Sequence, residues 1–369
     1  MNRILAFILS LVSIFGIGSY NIKSEMINPE LRTVGSAVRL IWPSFNEKKF
    51  VFCNSALDKI GKVLFKTKNA QCREIYLPRN DGTQMRMCLY IPNEKKENVP
   101  GVLWIHGGGY AIGIPEQDSS YIDDLIEKSG CIVVSPDYTR STDAPYPAAL
   151  NDCYASLEWL CRHAAEYGIR DDQIFIGGDS AGGGLAAAVT LLARDKGEFS
   201  IAYQMLVYPM LDDRMITQSS QNNDAPIWNS KSNEEAWRLY LGSLYGTDNV
   251  PKYAAPARET DYSNLPPTIT FVGTSDPFYD ETLQYAENLK NAGVETCVQV
   301  YEGCFHGFDL FSYTSVARKS REFLLEGFSN AVKTCFKAQP VTQQPFEPER
   351  GIPKADKRAS DTAWEKALC

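Results

Sequence analysis

A serine flanked by glycines is the residue of this sequence best placed for chemistry. Gly178, Ser180 and Gly182 form the pattern G-x-S-x-G, after an apolar run typical of a strand and before a run typical of a helix. A tight strand-to-helix turn of this kind exposes the serine hydroxyl, and it needs glycines because Cβ atoms would clash there. The pattern alone is weak evidence, since a glycine-rich turn without chemistry has the same letters.

The same glycines also fit a nucleotide-binding pattern. Residues 182–187, GGGLAA, match G-x-G-x-x-A, the dinucleotide fingerprint. That fingerprint needs its first glycine directly at the end of the strand, whereas GDSA intervenes here. No acidic residue follows at the expected distance, so the nucleophilic serine is the better interpretation.

A second glycine-rich segment strengthens the case for a nucleophile. His106-Gly107-Gly108-Gly109 directly follows the apolar strand-like LWI. Consecutive glycines let backbone N–H groups converge on one point and bind a developing oxyanion. A loop of this kind lies opposite the serine turn in one class of hydrolases. The alternative, a merely flexible loop, is much weaker because four specified letters seldom coincide by chance.

An activated serine needs a base and an acid, which follow in the chain order serine, acid, histidine at this kind of turn. The chain has three histidines, and only His306 follows Ser180. His106 belongs to the glycine loop, and His163 lies upstream in a helical segment as a surface residue. Asp276 follows an apolar strand, in a loop, and is therefore the predicted acid; a purely structural histidine at 306 is the alternative.

Three other carboxylates compete with the predicted acid. Asp280 and Glu281 open the next helix, where negative charge stabilises the helix N-terminus. Asp309 follows the histidine and so breaks the chain order.

Taken together, HGGG, GDSAGG, SDPFYDE and HGF resemble, in this order, the hormone-sensitive lipase family of α/β-hydrolases. DYTRSTDAPYPAALND is similar to the family's DYRLAPE-type segment. The resemblance covers residues 73–330. It implies a mostly parallel central sheet with helices on both faces and a helical cap. It also implies hydrolysis of carboxylic esters without a metal or an organic cofactor.

The resemblance assigns further residues to the site. It implies that the N–H groups of Gly108, Gly109 and Ala181 form the oxyanion hole. Aromatic side chains near these positions are expected to contact substrate: Tyr110, Trp228 and Trp237. Two departures concern the pocket: residues 139–143 replace the usual RLAPE, and a glycine at 184 replaces the usual asparagine.

The order of the elements agrees with this fold. Continuous apolar strands alternate with helices from residue 73 onward, which predicts a parallel sheet covered on both faces. We expect a catalytic domain at 71–336, with an N-terminal cap segment at 21–70. A polar insertion with scattered aromatics at 212–264 is too long for a plain connection, and we predict a helical cap over one edge of the sheet. The polar tail at 337–369 is predicted to be poorly ordered.

The N-terminus predicts export. Arg3 precedes an apolar run at residues 4–17, which is typical of a signal peptide or an uncleaved anchor in residues 1–20. Residues 4–18 are thus a candidate membrane tether. A buried helix is the least favoured interpretation because the run has no polar face.

Composition excludes some partners and leaves others open. A net charge of -8 without a long basic run argues against nucleic acid. The ten cysteines include no C-x-x-C pair, so no zinc site of the usual spacing is predicted, and their disulfide state stays open. We expect a small-molecule ester of short to medium chain length as substrate. The alternatives are a lipase acting on long-chain acylglycerols and a non-catalytic ligand-binding relative. The sequence indicates no oligomeric state.

Overall fold

The computed structural model describes residues 20–79 and 81–340 of the 369-residue chain. The predicted leader, apart from Tyr20, and the tail beyond residue 340 lie outside the described residues. Within the described ranges, no helix combines the length and the hydrophobicity that crossing a membrane requires.

A single eight-stranded sheet forms the centre of the molecule. The strands are β1 (Ala70–Pro78), β2 (Gln84–Pro92), β3 (Val99–Ile105), β4 (Ile132–Pro136), β5 (Ile169–Asp179), β6 (Tyr203–Val207), β7 (Thr268–Gly273) and β8 (Thr296–Tyr301). Their order across the sheet is β1-β2-β4-β3-β5-β6-β7-β8. The pairs β1–β2 and β2–β4 are antiparallel, and every other pair is parallel.

Helices cover both faces of this sheet. They are α1 (Arg32–Ile41), α2 (Glu47–Leu64), α3 (Ser119–Ser129), α4 (Ala148–His163), α5 (Ala181–Lys196), α6 (Ser230–Leu241), α7 (Tyr279–Asn291) and α8 (Ser315–Thr334). Helices α3 and α8 pack on one face, and α4, α5 and α7 pack on the other. The predicted α/β architecture is therefore confirmed.

Burial explains why the central strands are recognisable from sequence. Every residue of β3, β4, β6 and β7 is buried. A strand covered on both faces has no polar side, so it reads as an unbroken apolar run.

Strand β1 is absent from the sequence prediction. It lies at the edge of the sheet and pairs only with β2, and most of its side chains are exposed. Its segment AQCREIYLP therefore carries charged residues and no continuous apolar run. An edge strand exposed to water gives little hydrophobic signal.

Within the insertion at 212–264, for which a helical cap is predicted, helix is limited to one α-helix and two short turns. Helix α6 accounts for 12 residues, and short 3₁₀ turns lie at Gly242–Leu244 and Pro256–Arg258. The stretch QSSQNNDAP is rich in residues whose side chains compete for backbone hydrogen bonds, which favours turns over helix.

The described cysteines are all thiols. Nine of the ten lie in the described ranges, and none of these nine is in a disulfide.

The first residues of the predicted tail are bound to the catalytic domain: the Lys337 N–H donates to the Asp172 carbonyl at 2.8 Å, early in β5.

Candidate active site

Four loops meet at the carboxyl ends of the parallel strands. The HGGG loop follows β3, and Ser180 follows the adjacent β5. Asp276 follows β7, and His306 follows its neighbour β8. In sheets of this kind the carboxyl ends form the crevice in which ligands bind.

Ser180 is held in a strained backbone conformation. Its φ of 56° and ψ of -122° are rare for a residue with a side chain. The Ser180 N–H donates to the Val207 carbonyl at 2.8 Å, and its carbonyl accepts from the Met210 N–H at 2.9 Å. These bonds on both sides fix the turn, so the hydroxyl projects from the end of β5.

The glycines around the serine are required by close packing. A Cβ on Gly178 or on Gly182 would overlap the carbonyl oxygen of Ile105 at the end of β3. The turn therefore lies against the neighbouring strand at a distance that only glycine permits.

The three residues predicted as a triad form one hydrogen-bonded chain. His306 Nε2 lies 2.8 Å from Ser180 Oγ, and His306 Nδ1 lies 2.8 Å from Asp276 Oδ2. Asp276 is fully buried, and its other oxygen accepts from the Phe278 N–H at 2.9 Å. Because an ionised aspartate can only accept, Nδ1 is the protonated nitrogen, and Nε2 is left to accept the serine proton.

The rival carboxylates at the start of α7 are engaged elsewhere. Asp280 accepts from the Ser219 N–H at 2.8 Å, and Glu281 accepts from the Leu211 N–H at 2.7 Å. Both lie in the first turn of the helix, as predicted. Glu281 is buried, and this burial raises its pKa well above the usual range.

Asp309, the third rival, is also bound away from the histidine. Its carboxylate accepts from the hydroxyls of Tyr121 at 2.6 Å and Tyr208 at 2.7 Å. The Tyr208 ring stands edge-on to His306, with the ring centroids 4.6 Å apart. Asp309 thus fixes a wall of the histidine pocket.

Three backbone N–H groups in the HGGG loop and the serine turn have no hydrogen-bond partner among the described residues. Gly108 and Gly109 have positive φ values of 121° and 59°. Ala181 is the first residue of α5, where an N–H has no partner within the helix. Among the described residues, no protein group accepts from the N–H of any of these three positions. Backbone donors arranged in this way can bind an oxyanion.

A half-buried aspartate that the sequence prediction overlooked supports this loop. Asp179 Oδ1 accepts from the Gly107 N–H at 2.8 Å. Burial raises the pKa of Asp179 well above its usual range, and the neighbouring Asp118 raises it further. Burial likewise raises the pKa of Asp118 to about 6. The aspartate belongs to the quoted GDSAGG motif, but only its position beneath the loop gives it a role.

His106, at the start of the loop, is a structural histidine. Its Nδ1 lies 2.9 Å from the Gly107 carbonyl, and its ring stacks on Tyr138 with centroids 4.2 Å apart. The Tyr138 hydroxyl donates to the His106 carbonyl at 3.1 Å. Burial lowers the pKa of His106 to about 4, so it is neutral at pH 7.

The insertion and the N-terminal segment meet above the serine. The Trp228 ring touches the HGGG loop so closely that a Cβ on Gly109 would overlap it. The same ring lies 6.3 Å from that of His306 and 6.3 Å from that of Phe50 in α2. Ser180 is 4% exposed, so these elements shield the site from solvent.

The other two aromatic residues predicted to contact substrate lie deeper. Tyr110 and Trp237 are both buried, and Tyr110 stacks on Tyr240 with centroids 3.9 Å apart. The Tyr110 hydroxyl donates to the Met210 carbonyl at 2.9 Å. In this structure the Tyr110 and Trp237 rings pack against each other beneath the HGGG loop. Their contact with substrate stays a prediction.

The departure from the family pattern at residue 184 has a steric cause. A Cβ on Gly184 would overlap the Met210 carbonyl and lie 2.5 Å from the Tyr110 hydroxyl. Glycine here makes room for the buried tyrosine.

His163 lies at the end of α4, where its ring stacks on Trp159 with centroids 4.5 Å apart. Over residues 20–79 and 81–340, no group of three or more His, Cys, Asp or Glu side chains is arranged to hold a metal ion.

Comparison with known proteins finds an alpha/beta hydrolase family model and relatives that are named as esterases. A family model described as alpha/beta hydrolase fold matches residues 102–310. Carboxylesterase NlhH of Mycobacterium tuberculosis is 34% identical over 235 residues, which are 62% of this chain and 73% of NlhH. Esterase LipI of the same organism is 35% identical over 210 residues, which are 57% of this chain and 65% of LipI, just under two thirds of its length.

A solved esterase structure is similar to this chain as well. A bacterial heroin esterase superposes with a TM-score of 0.77 at 34% sequence identity. The superposition covers 84% of this chain and 98% of the esterase.

Proposed function

Because this chain belongs to the hormone-sensitive-lipase-like family of α/β-hydrolases, we propose that it is a serine carboxylesterase with Ser180 as nucleophile, His306 as base and Asp276 as acid. The relatives NlhH and LipI are named as esterases. One observation carries the proposal: the hydrogen-bonded chain from Asp276 through His306 to Ser180.

The mechanism follows from this geometry. His306 Nε2 takes the hydroxyl proton as Ser180 Oγ attacks the ester carbonyl carbon. Asp276 holds the imidazole in the required tautomer and stabilises the imidazolium that forms. The tetrahedral oxyanion is bound by the N–H groups of Gly108, Gly109 and Ala181.

The reaction is then completed in two stages, release of the alcohol and hydrolysis of the acyl-enzyme. The carbon–oxygen bond to the alcohol breaks, and His306 gives its proton to the leaving oxygen. Water, deprotonated by the same histidine, attacks the acyl-serine, and the acid is released with the serine restored. The cycle consumes one ester and one water and needs no cofactor.

Hydrolysis of nitrophenyl acetate by the purified chain tests this proposal. We expect S180A, H306A and D276N each to lose several orders of magnitude in kcat, and the losses not to add in combination. H163A and D280N are the matched controls and should retain activity, because those side chains are bound elsewhere.

Two outcomes would overturn the proposal. Wild-type protein that binds esters without turnover would be the non-catalytic relative. A fully active H306A variant would remove the histidine from the mechanism.

We further propose that the substrate is a small ester of short to medium acyl chain. The support is the aromatic cover formed by Trp228, Phe45 and Phe50, whose ring centroids lie 5.1 to 6.3 Å apart. Such a cover bounds the pocket, and each methylene buried in it contributes about 0.8 kcal/mol until the pocket is full.

Nitrophenyl esters from acetyl to palmitoyl distinguish this proposal from a lipase. The rate should rise with chain length and then stop rising or fall. A maximum at palmitoyl, with activation above the solubility limit of the substrate, would instead show a long-chain lipase.

We also propose export, because the apolar run at residues 4–17 follows Arg3 at the N-terminus. Fractionation of expressing cells should place the mature domain outside the cytosol, either released or tethered. Recovery of full-length protein only from the soluble cytosolic fraction would contradict this.

A further inference from the structure

Helix α2 presents an unpartnered apolar face to solvent. Its inner face packs on the body through Phe50, Asn54 and Gly61, which are all buried. A helix needs one apolar face for that purpose, and its opposite face is normally polar.

The outer face of α2 carries large apolar side chains as well as polar ones. It carries four exposed residues at helical spacing, here called the outer stripe: Phe52, Ala56, Ile60 and Val63. Phe52 is 66% exposed, Ile60 51% and Val63 69%. Such a run of large apolar side chains on one helix face is typical of an interaction surface.

Lysines flank this stripe. They lie on or next to α2 at Lys48, Lys49, Lys59, Lys62, Lys66 and Lys68. Lys62 is paired with Glu74, and the two acidic residues of α2, Glu47 and Asp58, are paired with arginines elsewhere in the fold. The chain as a whole has a net charge of -8, so this local excess of cations contrasts with the rest of the molecule. Long lysine side chains can lay their methylenes along apolar surface and keep their charge in water.

The exposed apolar surface continues onto the end of α1. Leu40 and Ile41 are 50% and 61% exposed. The next residue, Trp42, lies beneath the Lys49 ammonium of α2, 5.2 Å from its ring centroid. The Tyr20 ring packs on Arg39 of α1, with the guanidinium 4.5 Å from its centroid.

The described chain therefore begins next to this end of α1. The apolar run at residues 4–17 precedes it directly in sequence. In the described residues, exposed apolar side chains thus lie at the end of α1 and along the outer stripe of α2.

From these contacts we propose that α2 lies flat on the surface of a bilayer containing anionic lipid. The outer stripe enters the boundary between headgroups and acyl chains, and the flanking lysines pair with anionic headgroups. Interfacial helices have this combination of apolar stripe and basic flanks. The proposal does not depend on ester hydrolysis.

The test is co-sedimentation of the full chain with vesicles. One set contains phosphatidylcholine and phosphatidylglycerol, and the other contains phosphatidylcholine alone. Wild-type protein should bind the anionic vesicles more strongly, and F52E should reduce the partition coefficient at least about tenfold.

F336E is the matched control for F52E. Phe336 is a second exposed phenylalanine, 48% exposed, and lies beside Arg170 in β5, at the end of that strand away from Ser180. The same chemical change there should leave vesicle binding unchanged. Near-UV circular dichroism and turnover of a soluble ester verify that both variants are folded.

K48Q/K59Q tests the charge independently of the stripe. It should lower binding to anionic vesicles about tenfold and leave binding to neutral vesicles unchanged. Because both lysines are exposed, this variant should fold even if F52E does not.

Three results would overturn the proposal. The first is wild-type protein that stays in the supernatant with both vesicle types. The second is F52E that binds as well as wild type, which would show that the N-terminal run acts alone. The third is wild-type protein that is a dimer by light scattering and that F52E converts to a monomer without changing vesicle binding, which would show that a second copy covers the stripe.

Discussion

Asp179 joins the serine turn to the HGGG loop through a hydrogen bond. It precedes Ser180, and its carboxyl group holds the Gly107 N–H at 2.8 Å. It touches no reacting atom, so it acts by positioning the next two glycines.

D179A should therefore lower kcat by about tenfold or more with little change in KM, because it disturbs a donor array that acts on the transition state. Since burial favours the protonated acid, a neutral amide can take its place, and D179N should retain most of the activity. A D179A variant with raised KM and normal kcat would indicate a role in substrate binding instead.

Gly108 tests the oxyanion hole directly. Its φ is 121°, and a Cβ there would overlap the Ile112 carbonyl, so G108V should reshape the loop. We expect kcat to fall by about a hundredfold or more. G293V is the control, because Gly293 also has a positive φ, 79°, but nothing lies within 4 Å of an added Cβ. Equal activity losses in the two variants would point to general backbone strain.

His106 should make the fold sensitive to acid. Its pKa is about 4 in the folded chain and about 6.5 in the unfolded chain, so the unfolded state binds an extra proton between these values. Stability from this residue is complete above pH 6.5 and is lost as the pH falls towards 4. At about 1.4 kcal/mol for each tenfold difference in proton affinity, the full loss is roughly 3 kcal/mol.

Urea unfolding of wild type and H106Q at pH 7 and pH 4.5 measures this term. Glutamine cannot be protonated, so the variant should lose less stability on acidification than wild type. The Asp118 carboxyl, with its pKa raised to about 6, acts in the opposite direction in both proteins and cancels in the comparison. Equal losses in the two proteins would show that His106 is not the group that titrates.

At the scale of the elements, we propose that the loop that carries Trp228 limits the size of the acyl pocket. The Trp228 ring lies between the HGGG loop and Phe50. W228A should move the optimum in the nitrophenyl ester series towards longer acyl chains, because the removed ring leaves apolar space beside the serine. W159A is the control, since Trp159 packs on His163 of α4. An unchanged optimum in W228A would mean that the acyl chain lies elsewhere.

The sequence predicts those elements that are completely buried or tightly packed. The buried strands and the first three turns of α5 are largely apolar, and the glycines at 178 and 182 mark the place where the serine turn lies against β3. Strand β1 is exposed and polar, and the insertion combines buried aromatic side chains with polar turns, so hydrophobic patterning could not find their structure. The position of Asp179 beneath Gly107 depends on the pairing of β3 with β5, which no single segment encodes.

At the scale of the whole molecule, parallel strand order assembles the site. Residues 106 to 306 span two hundred positions, yet β3 is adjacent to β5, and β7 to β8. The chain order serine, acid, histidine predicts which residues meet. Chain order alone does not separate Asp276 from Asp280; the position of Asp276 in the loop, before the helix that Asp280 opens, favours Asp276, and the structure places that carboxylate against the histidine.

The central claim is that Ser180 is a nucleophile activated by His306. Its most direct test is reaction of the full chain with a nitrophenyl phosphonate, in which the attacking oxygen bonds to phosphorus and nitrophenolate leaves. Intact mass and peptide mapping should show one adduct, located on Ser180, with one equivalent of nitrophenolate released. H306A should react far more slowly. An adduct on another residue, or an unmodified chain that still hydrolyses esters, would contradict the claim.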